Sequence, residues 1–161
     1  MTTELFDFET QNTVGILGES HFLQDYQWTQ PTKSLQDLSY DFHFSGHNEK
    51  VELKTDTYKM EKTENLFIES HVIRFDNGYK KIGGPFRAKQ DQVRFFVYYF
   101  IKDRTYLWYN TIKMVERIDK WIAINFPYLV EVKNKGYSSF GYIIPRNIFY
   151  HELIKQQTFN N

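Results

Sequence analysis

The sequence predicts an α/β fold, a mixed β-sheet with helices on its faces. Three observations carry that prediction. Residues 37–44 (DLSYDFHF) and 50–55 (KVELKT) alternate apolar and polar side chains with the period of two that a half-buried strand requires. Residues 92–101 (QVRFFVYYFI) are dense in aromatic and β-branched residues, which fit a pleated, buried surface. Residues 13–28 and 110–126 instead repeat apolar residues at helical spacing. Helices before and after a run of strands cover the faces of the sheet those strands form.

Each element has its own signal. In the first helix Val14, Leu17, Phe22 and Tyr26 share an apolar face, Gly15 and Gly18 weaken it, and Pro31 marks a break. In the strand after it, Leu38, Tyr40, Phe42 and Phe44 lie on one face and Ser39, Asp41 and His43 on the other. The sequence SGHNE reads as a turn. In the next strand Val51 and Leu53 point one way and Glu52 and Lys54 the other, so the two strands make a hairpin. Residues 65–73 (NLFIESHVI) predict a third strand and residues 76–85 a loop. The run from residue 92, the turn KDR and TYLWY make a second hairpin. The helix over 110–126 has Asn110 or Thr111 as N-cap and Pro127 just past its end. YLVEVK, FGYII and a short C-terminal helix over about residues 146–156 complete the prediction.

A chain of 161 residues is most simply one domain, 1–161, with room for a core. Aromatics make up 19% of it, so Phe and Tyr supply much of the core volume. With no cysteine there is no disulfide, thiolate nucleophile or Cys-based zinc site, which suits a cytoplasmic setting. The start, MTTELFDFETQ, lacks the basic and apolar regions of a secretory signal, and no segment approaches the roughly 20 apolar residues of a membrane span. The formal net charge is zero, which argues against binding nucleic acid by bulk charge and shifts attention to local patches. No histidine pair has zinc-ligand spacing and no G-x-x-x-x-G-K-(S/T) run is present, so ATP use is not implied.

The chemistry is concentrated in the first hairpin. Glu52 and Lys54 share a face, and a turn centred on residues 46–48 sets Asp41 opposite residues 52–54. Two carboxylates and an ammonium then converge on the polar side of the hairpin. Mg²⁺ takes oxygen ligands and is often held by one or two carboxylates plus phosphate oxygens. Asp41 and Glu52 are the candidate ligands, the Leu53 carbonyl a third, and Lys54 the group that orients the attacking water. The competing reading makes Glu-x-Lys an ordinary exposed ion pair on a strand.

The segment from Tyr40-Asp41-Phe42 through Val51-Glu52-Leu53-Lys54-Thr55-Asp56 resembles the PD-(D/E)XK nuclease superfamily, with a carboxylate on one strand and acid-x-Lys on the next. Tyr40 stands where that motif often has proline. The run Asn65 to Glu69 is similar to the third strand of phage-type and resolvase-like members. The resemblance covers roughly residues 13–110 and implies a restriction-endonuclease-like fold, Mg²⁺ or Mn²⁺ as cofactor and DNA phosphodiesters as substrate. It also implies an acid from the first helix at the metal, for which Glu19 matches better than Glu9. Holliday-junction resolvases, phage endonucleases, small restriction enzymes and homing enzymes all share this core.

Further residues carry weaker signals. The basic, Gly-rich segment 79–89 reads as a mobile loop, with Lys80, Lys81, Arg87 and Lys89 as phosphate contacts or as solvated surface. Lys133 and Lys135 make another candidate contact, and Gln92, His43 and Glu69 are candidate neighbours of the site. If FFVYYF or YLWY lies at a sheet edge, it offers a surface to a second subunit, and a homodimer suits double-strand cleavage. The rival readings are a non-catalytic nucleic-acid-binding domain, whose aromatics stack on bases, and an interaction protein without DNA affinity.

Overall fold

The computed structural model describes residues 8–29, 42–43 and 49–160, with side chains placed for 13–29 and 49–160. Helix α1 (Phe8–Tyr26) leads to β1 (Phe42–His43) and β2 (Lys50–Asp56). A short turn of 3₁₀ helix precedes β3 (Asn65–Arg74), which is followed by β4 (Lys80–Ile82) and α2 (Gly84–Gln90). Then come β5 (Phe95–Phe100), β6 (Thr105–Asn110) and α3 (Thr111–Asn125). The chain ends in β7 (Val130–Asn134), β8 (Tyr137–Pro145), a 3₁₀ turn Arg146–Phe149 and β9 (Leu153–Thr158).

The strands form two sheets flanked by helices, a mixed α/β architecture. One sheet runs β1-β2-β5-β6-β9 and the other β4-β3-β8-β7. β1 pairs antiparallel with β2 in the register Phe42↔Val51, His43↔Lys50, while β2 pairs parallel with β5. A parallel pair needs a crossover, and here β3, β4 and α2 supply it.

Two apolar clusters sandwich the first sheet. On one side Val51, Leu53, Val97, Tyr99, Tyr106 and Trp108 pack with Phe22 of α1 and with Trp28. On the other, Phe96, Tyr98, Phe100, Leu107 and Tyr109 pack with Leu66, Ile68 and Ile144 of the second sheet and Met114 and Ile118 of α3. Buried on both faces, β5 and β6 read as continuous apolar runs for that reason. They are interior strands and not the sheet edges considered above; β9 covers the outer side of β6.

Several local expectations meet a different structure. The stripe that α1 buries runs through Gly18, Phe22 and Tyr26, and Leu17 faces solvent at 47% exposure. A Cβ at Gly18 would overlap the Thr55 side chain, so the glycine that weakens the helix pattern is where α1 crosses β2. Segment 79–89 is not a loop: Lys80–Ile82 is a strand and Gly84–Gln90 a helix. Gly83 caps that helix, Pro85 lies in its first turn and Arg87 pairs with Asp91 one turn on, so Gly-Gly-Pro starts a helix here. The C-terminal segment is a strand over Leu153–Thr158, drawn into place by the open side of β6. The Lys155 ammonium sits 4.4 Å from the Trp108 ring centre and 5.0 Å from that of Tyr26. Among the described residues no helix is long and apolar enough to cross a membrane.

Candidate active site

β2 lies between a buried sheet neighbour and the two residues of β1, so its side chains have fixed directions. Val51 and Leu53 are buried toward α1; Glu52, Lys54 and Asp56 project from the opposite face, at partial exposure. The parallel register sets Glu52 beside Phe96, Lys54 beside Tyr98 and Asp56 beside Phe100. Oε2 of Glu52 is buried. The Lys54 ammonium lies 5.9 Å from the centre of the Phe67 ring on β3. This face of β2 opens toward α2 and β3, where the two sheets approach each other.

Tyr98 ties the sheets together there. Its hydroxyl donates to Asp56 Oδ2 at 2.5 Å and accepts from the Phe67 main-chain N–H at 3.2 Å. Burial, then the negative charge and hydrogen bond of Asp56, push the phenol far above its ordinary range, so it stays a donor. Asp56 Oδ1 also accepts from the Tyr58 N–H at 2.8 Å. Asp56 shares the face of Glu52 and Lys54 by simple alternation, a sign present in the sequence and missed because the motif ends at Lys54.

On the far side of β2, α1 rests Gly18 against Thr55. Glu19 follows it, and burial raises its carboxyl above the usual carboxylate range. Glu19 thus belongs to the α1 side of the sheet, while Glu52 and Lys54 occupy the other. Asp41 lies outside the described residues, as does the side chain of His43. Among the described residues no group of three or more His, Asp or Glu side chains gathers at metal-binding distance.

A basic groove runs along the second sheet. It is a cavity of about 890 Å³ lined by Arg74, Lys81, Arg87 and Lys135, with Tyr79, Tyr137 and Glu69. The β3–β8 register builds it: Glu69 faces Gly141, Val72 faces Ser139 and Arg74 faces Tyr137 on one side of the sheet. A bulge at Ser70 makes this possible, because the extra residue turns His71 inward. His71 stacks on Phe140 with ring centres 4.9 Å apart. Glu69 rests against Gly83 and Gly84 at the start of α2; Gly84 has φ +54° and a side chain on it would strike the Glu69 carbonyl. Phe67, beside Lys54, lies two residues before Glu69 on β3, and the groove's described lining includes no residue of β2.

Of the four expected phosphate contacts, Lys81 and Arg87 line the groove. Lys80 is exposed on the edge strand β4 and Lys89 on α2. Arg87 also holds Asp91 at 2.8 Å, and Arg74 holds Asp76 at 2.8 Å. Lys135 joins the groove, whereas Lys133 stands exposed on β7. Gln92 is exposed in the left-handed region, φ 58°, where it ends α2.

A separate network clamps α1. Asp25 accepts from Tyr106 at 2.7 Å and from Arg104 at 2.5 Å. His21 Nδ1 lies 2.7 Å from the Tyr99 hydroxyl, and the Tyr99 and Tyr106 rings stack at 4.0 Å. Comparison with family models, with curated proteins and with solved structures returned no match.

Proposed function

We propose that the chain is a metal-dependent DNA endonuclease with a restriction-endonuclease-like core. One observation carries the reading: Glu52 and Lys54 project side by side from one face of a strand whose other face is buried; the basic groove on the second sheet adds a surface for phosphates. The antiparallel β1–β2 pair, Phe42↔Val51 and His43↔Lys50, is the hairpin strand pair on which the sequence motif relies.

The donor set suits a hard cation in kind, being carboxylate and carbonyl oxygen. Glu52 and Asp41 would hold Mg²⁺ or Mn²⁺, together with the Leu53 carbonyl. The described acids do not make a three-carboxylate site by themselves, so Asp41 is an essential part of the proposal. When bound, the metal supplies Lewis-acid polarisation of the phosphate and a more acidic water. Lys54 places a positive charge where negative charge grows on the phosphate oxygens and positions the nucleophile. Phe67 and the Tyr98–Asp56 link line that lysine's surroundings. Lys81, Arg87, Arg74 and Lys135 would follow the DNA backbone, with Lys80 and Lys89 at the rim.

The test is cleavage of plasmid, linear duplex, single-stranded and four-way-junction DNA with Mg²⁺, Mn²⁺ or EDTA, comparing wild type with Asp41→Ala. Metal-dependent cleavage that the variant loses supports the reading, and the preferred substrate identifies the subtype. Binding without any cleavage would instead favour a non-catalytic nucleic-acid-binding domain. Equal cleavage by both proteins would overturn the assignment of the site.

A further inference from the structure

The second sheet ends on β7, whose outer side carries no strand among the described residues. The two-residue turn Lys135–Gly136 closes the pair Asn134↔Tyr137. Main-chain groups alternate between the two sides of an antiparallel strand. Counting from that closing pair, Asn134, Val132 and Val130 bond toward β8, and Glu131 and Lys133 turn their N–H and C=O groups outward. Such an edge is a template for another strand. We propose that it pairs antiparallel with β7 of a second copy of this chain about a two-fold axis at Val132. The homodimer then joins two four-stranded sheets into one.

Charge complementarity selects a second copy as the occupant. In this register Glu131 faces Lys133 of the second copy, and Lys133 faces its Glu131. Opposite charges directly across a strand pair stabilise it, and like charges there repel. The Glu131 carboxylate already takes a hydrogen bond from the Ser138 hydroxyl at 2.6 Å, which holds it over the strand. Lys133 guards the edge against other strands, yet meets its complement in its own copy.

The ends of the strand complement each other as well. Before β7 the chain exposes Phe126 (82%), Tyr128 (92%) and Leu129. Beyond its other end lies Phe75, 58% exposed, whose N–H donates to the Gly136 carbonyl at 2.9 Å. Antiparallel pairing lays the first group of one copy beside the second group of the other, twice over. A cluster of exposed large apolar residues next to an open edge marks an association surface, and a two-fold contact closes on itself. At the opposite edge, β4 spans only Lys80–Ile82 and carries two lysines. The inference stands independently of the nuclease reading.

Sedimentation equilibrium of the purified chain tests it. Wild type is expected to form a dimer. Glu131→Lys and Lys133→Glu each place like charges opposite one another at two symmetric positions, and each should raise the dimer dissociation constant about tenfold or more. An equimolar mixture of the two variants should associate again, because their charges are complementary. The double exchange within one chain should dimerise like wild type, and it keeps the test open if a single variant does not fold. A wild type that stays monomeric, a dimer that ignores both single variants, or a double exchange that fails to recover would each overturn the proposal.

Discussion

Tyr98 shows how one side chain can link two sheets. Its hydroxyl serves Asp56 on one strand and the Phe67 amide on another, in a buried setting. Tyr98→Phe leaves both groups unsatisfied, and urea unfolding should register a loss of about 1–3 kcal/mol. His21 and His71 are held below their ordinary value of 6.5, chiefly by burial, with Arg104 and Lys80 adding to the effect. Asp25 and Glu69 oppose it without reversing it. The folded chain therefore carries fewer protons on these rings than the unfolded chain. Their contribution is fully present above pH 6.5 and is lost as pH falls below that value. Unfolding measured from about pH 7.5 to about pH 5.5 should show stability falling, with a shallower slope in His21→Gln. At this scale the Glu52–Lys54 pair was legible in the sequence, because a strand with one buried face fixes the direction of every alternate residue.

Among the elements, α1 depends on its close crossing with β2. Gly18→Ala drives a methyl into Thr55 and should destabilise the fold by about 1–3 kcal/mol. The double variant Gly18→Ala with Thr55→Ala should recover most of that loss, as chemical denaturation of the four proteins of the cycle would show. α3 is stabilised by its cap: the Asn110 side chain accepts from the Lys113 N–H at 3.1 Å, and Asn110→Ala should cost about 1 kcal/mol. That helix was legible because period, cap and the following proline agree. α2 was not, since Gly83-Gly84-Pro85 reads locally as a break, while the glycines are needed for contact with Glu69. β9 was not either: Leu153–Thr158 has little strand signal of its own and is ordered by pairing with β6.

For the molecule as a whole, the division into two sheets follows from β3 pairing with β8, about seventy residues later, and local periodicity carries no record of such a partner. The groove inherits that difficulty. Lys81 and Arg87 lie in one segment, but Arg74 and Lys135 meet them only through the β3–β8–β7 arrangement. If the groove holds DNA phosphates, Lys81→Ala and Lys135→Ala should weaken duplex binding evenly across sequences. Each should reduce the slope of log affinity against log salt by roughly 0.9. A dimer through β7 would bring two such grooves into one particle, an arrangement suited to acting on both strands of a duplex.

The most direct test of the central claim is the single-turnover rate of DNA cleavage in Mn²⁺ for wild type, Glu52→Gln and Lys54→Met, each first shown to unfold at the same denaturant concentration. Wild type should cleave, EDTA should stop it, and each substitution should lower the rate about a hundredfold or more while DNA binding persists. Cleavage at the wild-type rate by either variant would contradict the account, and the face of β2 would then be an ordinary ion pair on a strand.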